Sequence, residues 1–227
     1  MIREKNELTN TVNLSGTVIT KPELSHSIGG EHFYKFKLSI KRKSKTADIL
    51  NVIISERLTN FSKINENSFI NIFGEFRSRN VEETIGEETK NRLMLYVYPQ
   101  EVTILDEELN ENEITLMGYL VKKPIVRKTP LGKDICDLLL GVHRISGKSD
   151  YIPTIVWNRN AMYMGQFKAG TYLKLSGNIQ SRVYTKKIDE EAFEERTAFE
   201  VSSRFIEIID PKTDEEDIIN NDKKLSF

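Results

Sequence analysis

Tyr151 and Trp157 sit six residues apart in one alternating stretch of the 227-residue chain, and Tyr184 follows in another. Cations are spaced among them: Arg144, Lys148, Arg159, Lys174, Arg182 and Lys186. Flat rings offer π faces to other flat apolar groups, and fixed cations hold anions. A polymer that carries both kinds of group, unpaired bases on a phosphate backbone, suits such a set. Each base stacked on a ring contributes ~1 to 3 kcal/mol, while Lys and Arg follow the phosphates. Bond-breaking chemistry finds no comparable constellation. His26, His32 and His143 are scattered, no Cys/His spacing suggests zinc, and no Gly-rich loop follows a strand and opens a helix. The chain is therefore expected to be no enzyme and to need neither metal nor cofactor. The single cysteine, Cys136, excludes an internal disulfide framework, fits a reducing cytoplasm and is expected to be a small buried side chain.

The elements that must position these residues are announced by an internal repeat. A shift of 102 brings Gly16 onto Gly118, Pro22 onto Pro124, Gly30 onto Gly132, Arg42 onto Arg144 and Asp48 onto Asp150. One further residue of slip brings Gly74 onto Gly177, Ser78 onto Ser181 and Arg79 onto Arg182. Repeats of this length are whole domains, larger than the units of a solenoid. Two are expected, 1–106 and 113–210, joined by the polar stretch Glu107–Asn112. A charged, Asn-rich tail, 211–227, is expected to be disordered and acidic.

Each half shows five period-two stretches, the mark of strands with one buried face. In the first half they are Thr11–Ile19, Phe33–Arg42, Ile49–Ser55, Phe69–Arg77 and Leu93–Leu105. In the second they are Ile114–Lys122, Ile135–Ile145, Tyr151–Trp157, Thr171–Arg182 and Thr197–Ile209. Glu82–Asn91 and Lys186–Arg196 read as acidic hairpin connections. A short helix is expected after the third strand of each half, capped by Asn158 in the second and spanning Glu56–Asn65 in the first. The expected fold is all-β: two tandem OB-fold five-stranded barrels, an architecture whose second and third strands present a binding face.

Comparison of the halves assigns that face. Leu50, Val52 and Ile54 are uniformly apolar, so by transfer Ile152, Thr154 and Val156 point inward and Tyr151, Pro153, Ile155 and Trp157 outward. On the fourth strand Leu173, Leu175 and Ile179 point in, leaving Lys174, Gln180, Arg182 and Tyr184 out. In the first half the positions equivalent to the three aromatics are Ile49, Ser55 and Val81, which cannot stack. There Lys35, Lys37 and Lys41 share a face opposite Phe36, Leu38 and Ile40, so that half offers phosphate contacts at most.

Net charge of −1 conceals local polarity. Residues 107–210 hold 15 basic and 15 acidic side chains, but nine of the acids lie in the linker and one loop. Local potential, not the total, steers a charged ligand. No apolar run reaches the ~18 residues of a membrane span, and the opening Met1–Asn10 is too polar for a signal peptide.

The second half resembles the bacterial single-stranded DNA-binding protein family over essentially its whole length. The resemblance lies in "NEITLMGYLVK" (112–122), "RKTPLGK" (127–133), "DYIPTIVWNRNA" (150–161) and "GTYLKLSGNIQSRVY" (170–184). It implies base-stacking roles for Tyr151, Trp157 and Tyr184, and single-stranded DNA as a partner in replication, recombination or repair. Location in the cytoplasm with the nucleoid follows. The family's usual four-barrel unit implies a homodimer of two-barrel chains. The family tail docks replication or repair proteins through an acidic tip ending in phenylalanine; this tail ends at Phe227 but places Lys223 and Lys224 beside it. An interaction or assembly module with weak or lost nucleic-acid binding is the alternative, and an oligosaccharide-binding OB-fold a third.

Overall fold

The computed structural model describes residues 8–58, 60–85, 88–187 and 193–210. The expected tail, 211–227, lies outside them. Twelve strands are seen among the described residues. The first six are β1 (Asn10–Val18), β2 (Glu23–Ile28), β3 (Glu31–Lys41), β4 (Ala47–Ser55), β5 (Phe69–Ile85) and β6 (Glu88–Leu105). The second six are β7 (Asn112–Leu120), β8 (Ile125–Lys128), β9 (Asp134–His143), β10 (Ser149–Trp157), β11 (Tyr172–Lys187) and β12 (Phe193–Asp210). One helix, α1 (Arg159–Met164), follows β10.

Each half closes by the same pairings. In the first the order is β2-β3-β4-β6-β5-β1, and β3 returns to β1. In the second it is β7-β11-β12-β10-β9-β8, and β9 returns to β7. The contact between the third and last strands of each barrel is parallel, at Val52 with Val97 and at Thr154 with Val201. These are tandem OB-fold barrels. Their interiors hold the alternating apolar residues: Leu38, Ile40, Leu50, Val52 and Ile54 in one, Leu138, Leu140, Ile152, Val156, Leu173 and Leu175 in the other.

Several repeated residues prove to be closure devices. A Cβ on Gly16 or Gly118 would collide with the carbonyl oxygen of Ser39 or Gly141 on the closing strand, so only glycine lets those strands meet. Asn10 brackets the backbone of Phe76 with two bonds of 2.8 and 3.0 Å, and Asn112 repeats this on Ile179 at 2.8 Å each. Arg42 forks onto Asp48 and Arg144 onto Asp150, each through two nitrogens.

The structure departs from the expected elements in four ways. Strands β2 and β8 were not expected; short and with no buried residue, they leave no apolar alternation to read. The acidic connection of the first half is instead paired strand, β5 and β6 running in register to Ile85 and Glu88, whereas that of the second half lies partly outside the described residues. After β4 the described residues form a 3-10 turn, Phe61–Lys63, entered through Asn60 in the left-handed region at φ 71°. Asn158 precedes α1 but its side chain makes no capping bond; its carbonyl accepts from Ala161 N at 2.9 Å.

The compact units also differ from the expected 1–106 and 113–210. One contains residues 10–114 together with 179–200, and the other contains 115–178 with the described residues 8–9 and 201–210. Polar contacts hold 179–200 within its unit. Ser181 N donates to Asp48 Oδ1 at 2.7 Å, Ile49 N donates to Ser181 Oγ at 2.8 Å, and Arg196 pairs with Glu83 at 3.0 Å.

Candidate nucleic-acid interface

Strand β10 carries the two central rings. Its core residues Ile152, Thr154 and Val156 are buried, so the alternate residues face outward, and Tyr151 keeps 44 % of its surface exposed. Trp157 is half-buried at the end of the strand, and its indole Nε1 donates to Ser202 Oγ of β12 at 2.9 Å. That bond fixes the ring before any ligand arrives, which lowers the ordering cost of stacking. Outward parity does not guarantee exposure: Ile155, between the rings, is buried.

The cations fall into three groups. Lys148, on the β9–β10 turn, and Arg159, opening α1, are exposed beside this face. Lys174 is half-buried on the outer side of β11. Arg144 is placed differently: its side chain is only 17 % exposed, that of Asp150 is 0 %, and the guanidinium meets both carboxylate oxygens at 2.5 and 2.7 Å. A fork engaged with a buried carboxylate has less to offer a phosphate than an exposed cation has. Arg42 and Asp48 make the same pair in the first half, where Asp48 holds Arg42 above its ordinary pKa.

Tyr184 and Arg182 lie in 179–200 and so belong to the compact unit of the first half, apart from the unit of Tyr151 and Trp157. Both are exposed, Tyr184 by 37 %, and the Arg182 guanidinium lies 5.7 Å from the Tyr184 ring centre. The side chain of Lys186 lies outside the described residues.

The corresponding face of the first half is closed. Lys35, Lys37 and Lys41 are exposed on β3 as expected, yet Lys41 is bound by Glu108 at 2.8 Å, and this contact holds the Glu108 carboxyl below its ordinary pKa. Phe33 and Ile53 share the outward parity but are buried with Tyr96 under Met94 and Tyr98. His26 stacks on Phe33 at 4.9 Å, and the Arg77 guanidinium sits 3.6 Å from the Tyr98 ring centre. Sequence reasoning missed this cluster because Tyr96 and Tyr98 lie on the last strand, outside the positions equivalent to the second-half aromatics. Beside it runs a groove of about 520 Å³ bordered by Lys21, Lys35, Lys37 and Arg92, but also by Glu23, Glu82 and Glu83. That near balance of charge makes a poor phosphate track.

Cys136 is buried, and burial, with Asp137 nearby, pushes its thiol up to about 11, so it stays protonated at neutral pH. Among the described residues no cluster of His, Cys, Asp and Glu could hold a metal, and no helix is long and apolar enough to cross a membrane.

Residues 111–209 match the model of the Single-strand binding protein family. Single-stranded DNA-binding protein A of Bacillus subtilis is 30% identical over 108 residues, covering 44% of this chain and 60% of that protein. Single-stranded DNA-binding protein 2 of Listeria innocua is 27% identical over 117 residues, covering 48% and 71%. The wild-type single-stranded DNA binding protein from Thermus aquaticus superposes with a TM-score of 0.68 at 20% identity, over 88% of this chain and 92% of that one. The last likeness extends the shared fold through both halves.

Proposed function

We propose that this chain, whose second half belongs to the Single-strand binding protein family, binds single-stranded DNA without strong sequence preference. It would protect the strand during replication, recombination or repair. The observation that carries this is the outer face of β10, where Tyr151 and a ring-locked Trp157 stand between Lys148 and Arg159. Rings take bases of any identity because every base has a π face, and cations release counterions from the backbone. Lys174 adds to this face. Arg182 and Tyr184 present a second cation and ring pair on the other compact unit, and Lys35 and Lys37 supply phosphate contacts there. The B. subtilis and L. innocua relatives are named for the same ligand.

The assembly proposed is a homodimer presenting four barrels, for which light scattering should give twice the 26.2 kDa chain mass. A strict monomer at micromolar concentration contradicts it. The tail ending at Phe227 would recruit replication or repair proteins, and the place of action would be the cytoplasm, on the nucleoid. The nucleic-acid reading itself is tested by mobility shift of the full chain with single-stranded and duplex oligonucleotides of one sequence. Preference for the single strand supports it, and equal or absent binding removes it.

A further inference from the structure

The register of the second barrel assembles something that no stretch of sequence shows. Tyr151 on β10 pairs with Gly141 on β9, and Gly141 pairs on its other side with Tyr119 on β7. Directly paired residues of antiparallel strands point to the same side. Leu120 and Leu140, the next pair along, are buried, so Tyr119 and Tyr151 face out; Gly141 lies on the same side but is itself buried. On the far side of β7, Leu120 N donates to Thr171 O and Gly170 N to Leu120 O, which sets Tyr172 of β11 beside Tyr119. Their rings lie 4.5 Å apart, and His143 meets Tyr119 edge-on at 6.0 Å. Four adjacent strands thus carry one transverse row, Tyr172, Tyr119, Gly141 and Tyr151. Tyr119 and Tyr151 are two strand spacings, ~10 Å, apart.

Packing alone does not account for the row. Tyr119 keeps 36 % of its surface exposed, and His143 is exposed, with Ser149 Oγ 2.8 Å from its Nδ1. Gly141 adds no side chain of its own, and the half-exposed Val121 lies over it, 3.2 Å from where a Cβ would stand, as an apolar surface between the two rings. Cations flank both ends of the row, Lys148 on the turn after His143 and Lys174 two residues beyond Tyr172. The first barrel supplies an internal control. Its register places Thr17, Ser39, Ile49 and Phe69 in the same row, and Thr17 is held by Glu108 at 3.1 Å.

We infer that Tyr119, supported by Tyr172 and His143, is a further base-stacking position. A strand bound along β10 from Trp157 to Tyr151 would turn over Val121, above Gly141, onto β7. This rests on the single-stranded DNA reading above and lengthens its path within the second barrel. A long strand gains a ring contact that a short one seated on β10 does not reach.

The test uses the unmodified full chain and oligo-dT carrying 5-iodouracil, irradiated and mapped by peptide mass spectrometry. It is paired with affinities of Tyr119→Ala and Tyr119→Phe for long and short oligo-dT. Adducts are expected on the peptide of Tyr119 or Tyr172 as well as on that of Tyr151. Tyr119→Ala is expected to weaken the long oligonucleotide about fivefold or more while sparing the short one, and Tyr119→Phe to keep affinity because the ring remains. Binding with no adduct on either peptide, or unchanged affinity in Tyr119→Ala, overturns the inference and leaves the DNA reading standing. Absence of any oligo-dT binding overturns both.

Discussion

The outer faces of β10 in the second barrel and of β3, β4 and β6 in the first descend from one repeat, yet they use aromatic residues in opposite ways. On β10 the rings are left open: Trp157 is held by one bond to Ser202, and Tyr151 is 44 % exposed. In the first barrel Phe33 and Tyr96 are roofed by Met94, Tyr98 and His26, and Arg77 covers the Tyr98 ring. A ring covered by its own protein stabilises the fold, and an uncovered one retains its stacking free energy for a ligand. Aromatic content therefore does not locate a binding face, whereas aromatic content with open faces and unspent cations does.

The largest expected effect comes from removing the open rings. Tyr151→Ala with Trp157→Ala should cost ~2 to 6 kcal/mol in affinity for oligo-dT, from ~1 to 3 for each ring, with little change in the thermal midpoint. The reciprocal change, Phe33→Ala in the first barrel, should cost ~3 to 5 kcal/mol of stability and leave the affinity of the folded protein nearly unaltered. Calorimetry and titration on the two variants should give opposite patterns; matching patterns would erase the distinction between the faces.

Next in size is the repeated ion pair. Arg144→Ala leaves the Asp150 carboxylate buried without its fork, which should destabilise the protein by ~3 to 5 kcal/mol. The slope of log affinity against log salt should not move. A flattened slope with unchanged stability would return Arg144 to the phosphate track.

Much of this was legible in the sequence because it depends on local alternation. The ten long strands, the two barrels and the inward residues Ile152, Thr154 and Val156 follow from period-two runs and from the match between halves. Registers were not legible. Tyr119 and Tyr151 are 32 residues apart in the sequence, and only their common partner Gly141 brings them into one row. Nor could spacing show that Arg144 faces Asp150, or that Ser181 would engage Asp48, since both depend on long-range polar contacts. Sequence parity placed Ile155 on the outer side of β10 but could not say that other side chains would bury it. The exchange of 179–200 also means that a cut near residue 111 would part Ser181 from Asp48, so the two faces are best compared in the intact chain.

Smaller effects should follow the unpaired cations. Arg159→Glu should flatten the salt slope by at least ~0.7, the contribution of one phosphate contact on a single strand. The smallest concerns Lys41. Its contact with Glu108 lowers that carboxyl's pKa, so the contact persists through the ordinary carboxylate range and is lost only as pH falls through the lowered value. Glu108→Gln should free Lys41 at neutral pH and steepen the slope by no more than ~0.7. A larger change would mean that the first barrel binds phosphate more strongly than its mixed rim allows.

The most direct measurement follows Trp157, the sole tryptophan, by fluorescence while oligo-dT is added to the full chain at a series of salt concentrations. Stacking predicts saturable quenching, with affinity falling as salt rises at a slope of about −2, as contacts at Lys148, Arg159 and Lys174 require. Emission that does not respond to the oligonucleotide, or an affinity indifferent to salt, would contradict the claim that this face holds a nucleic-acid strand.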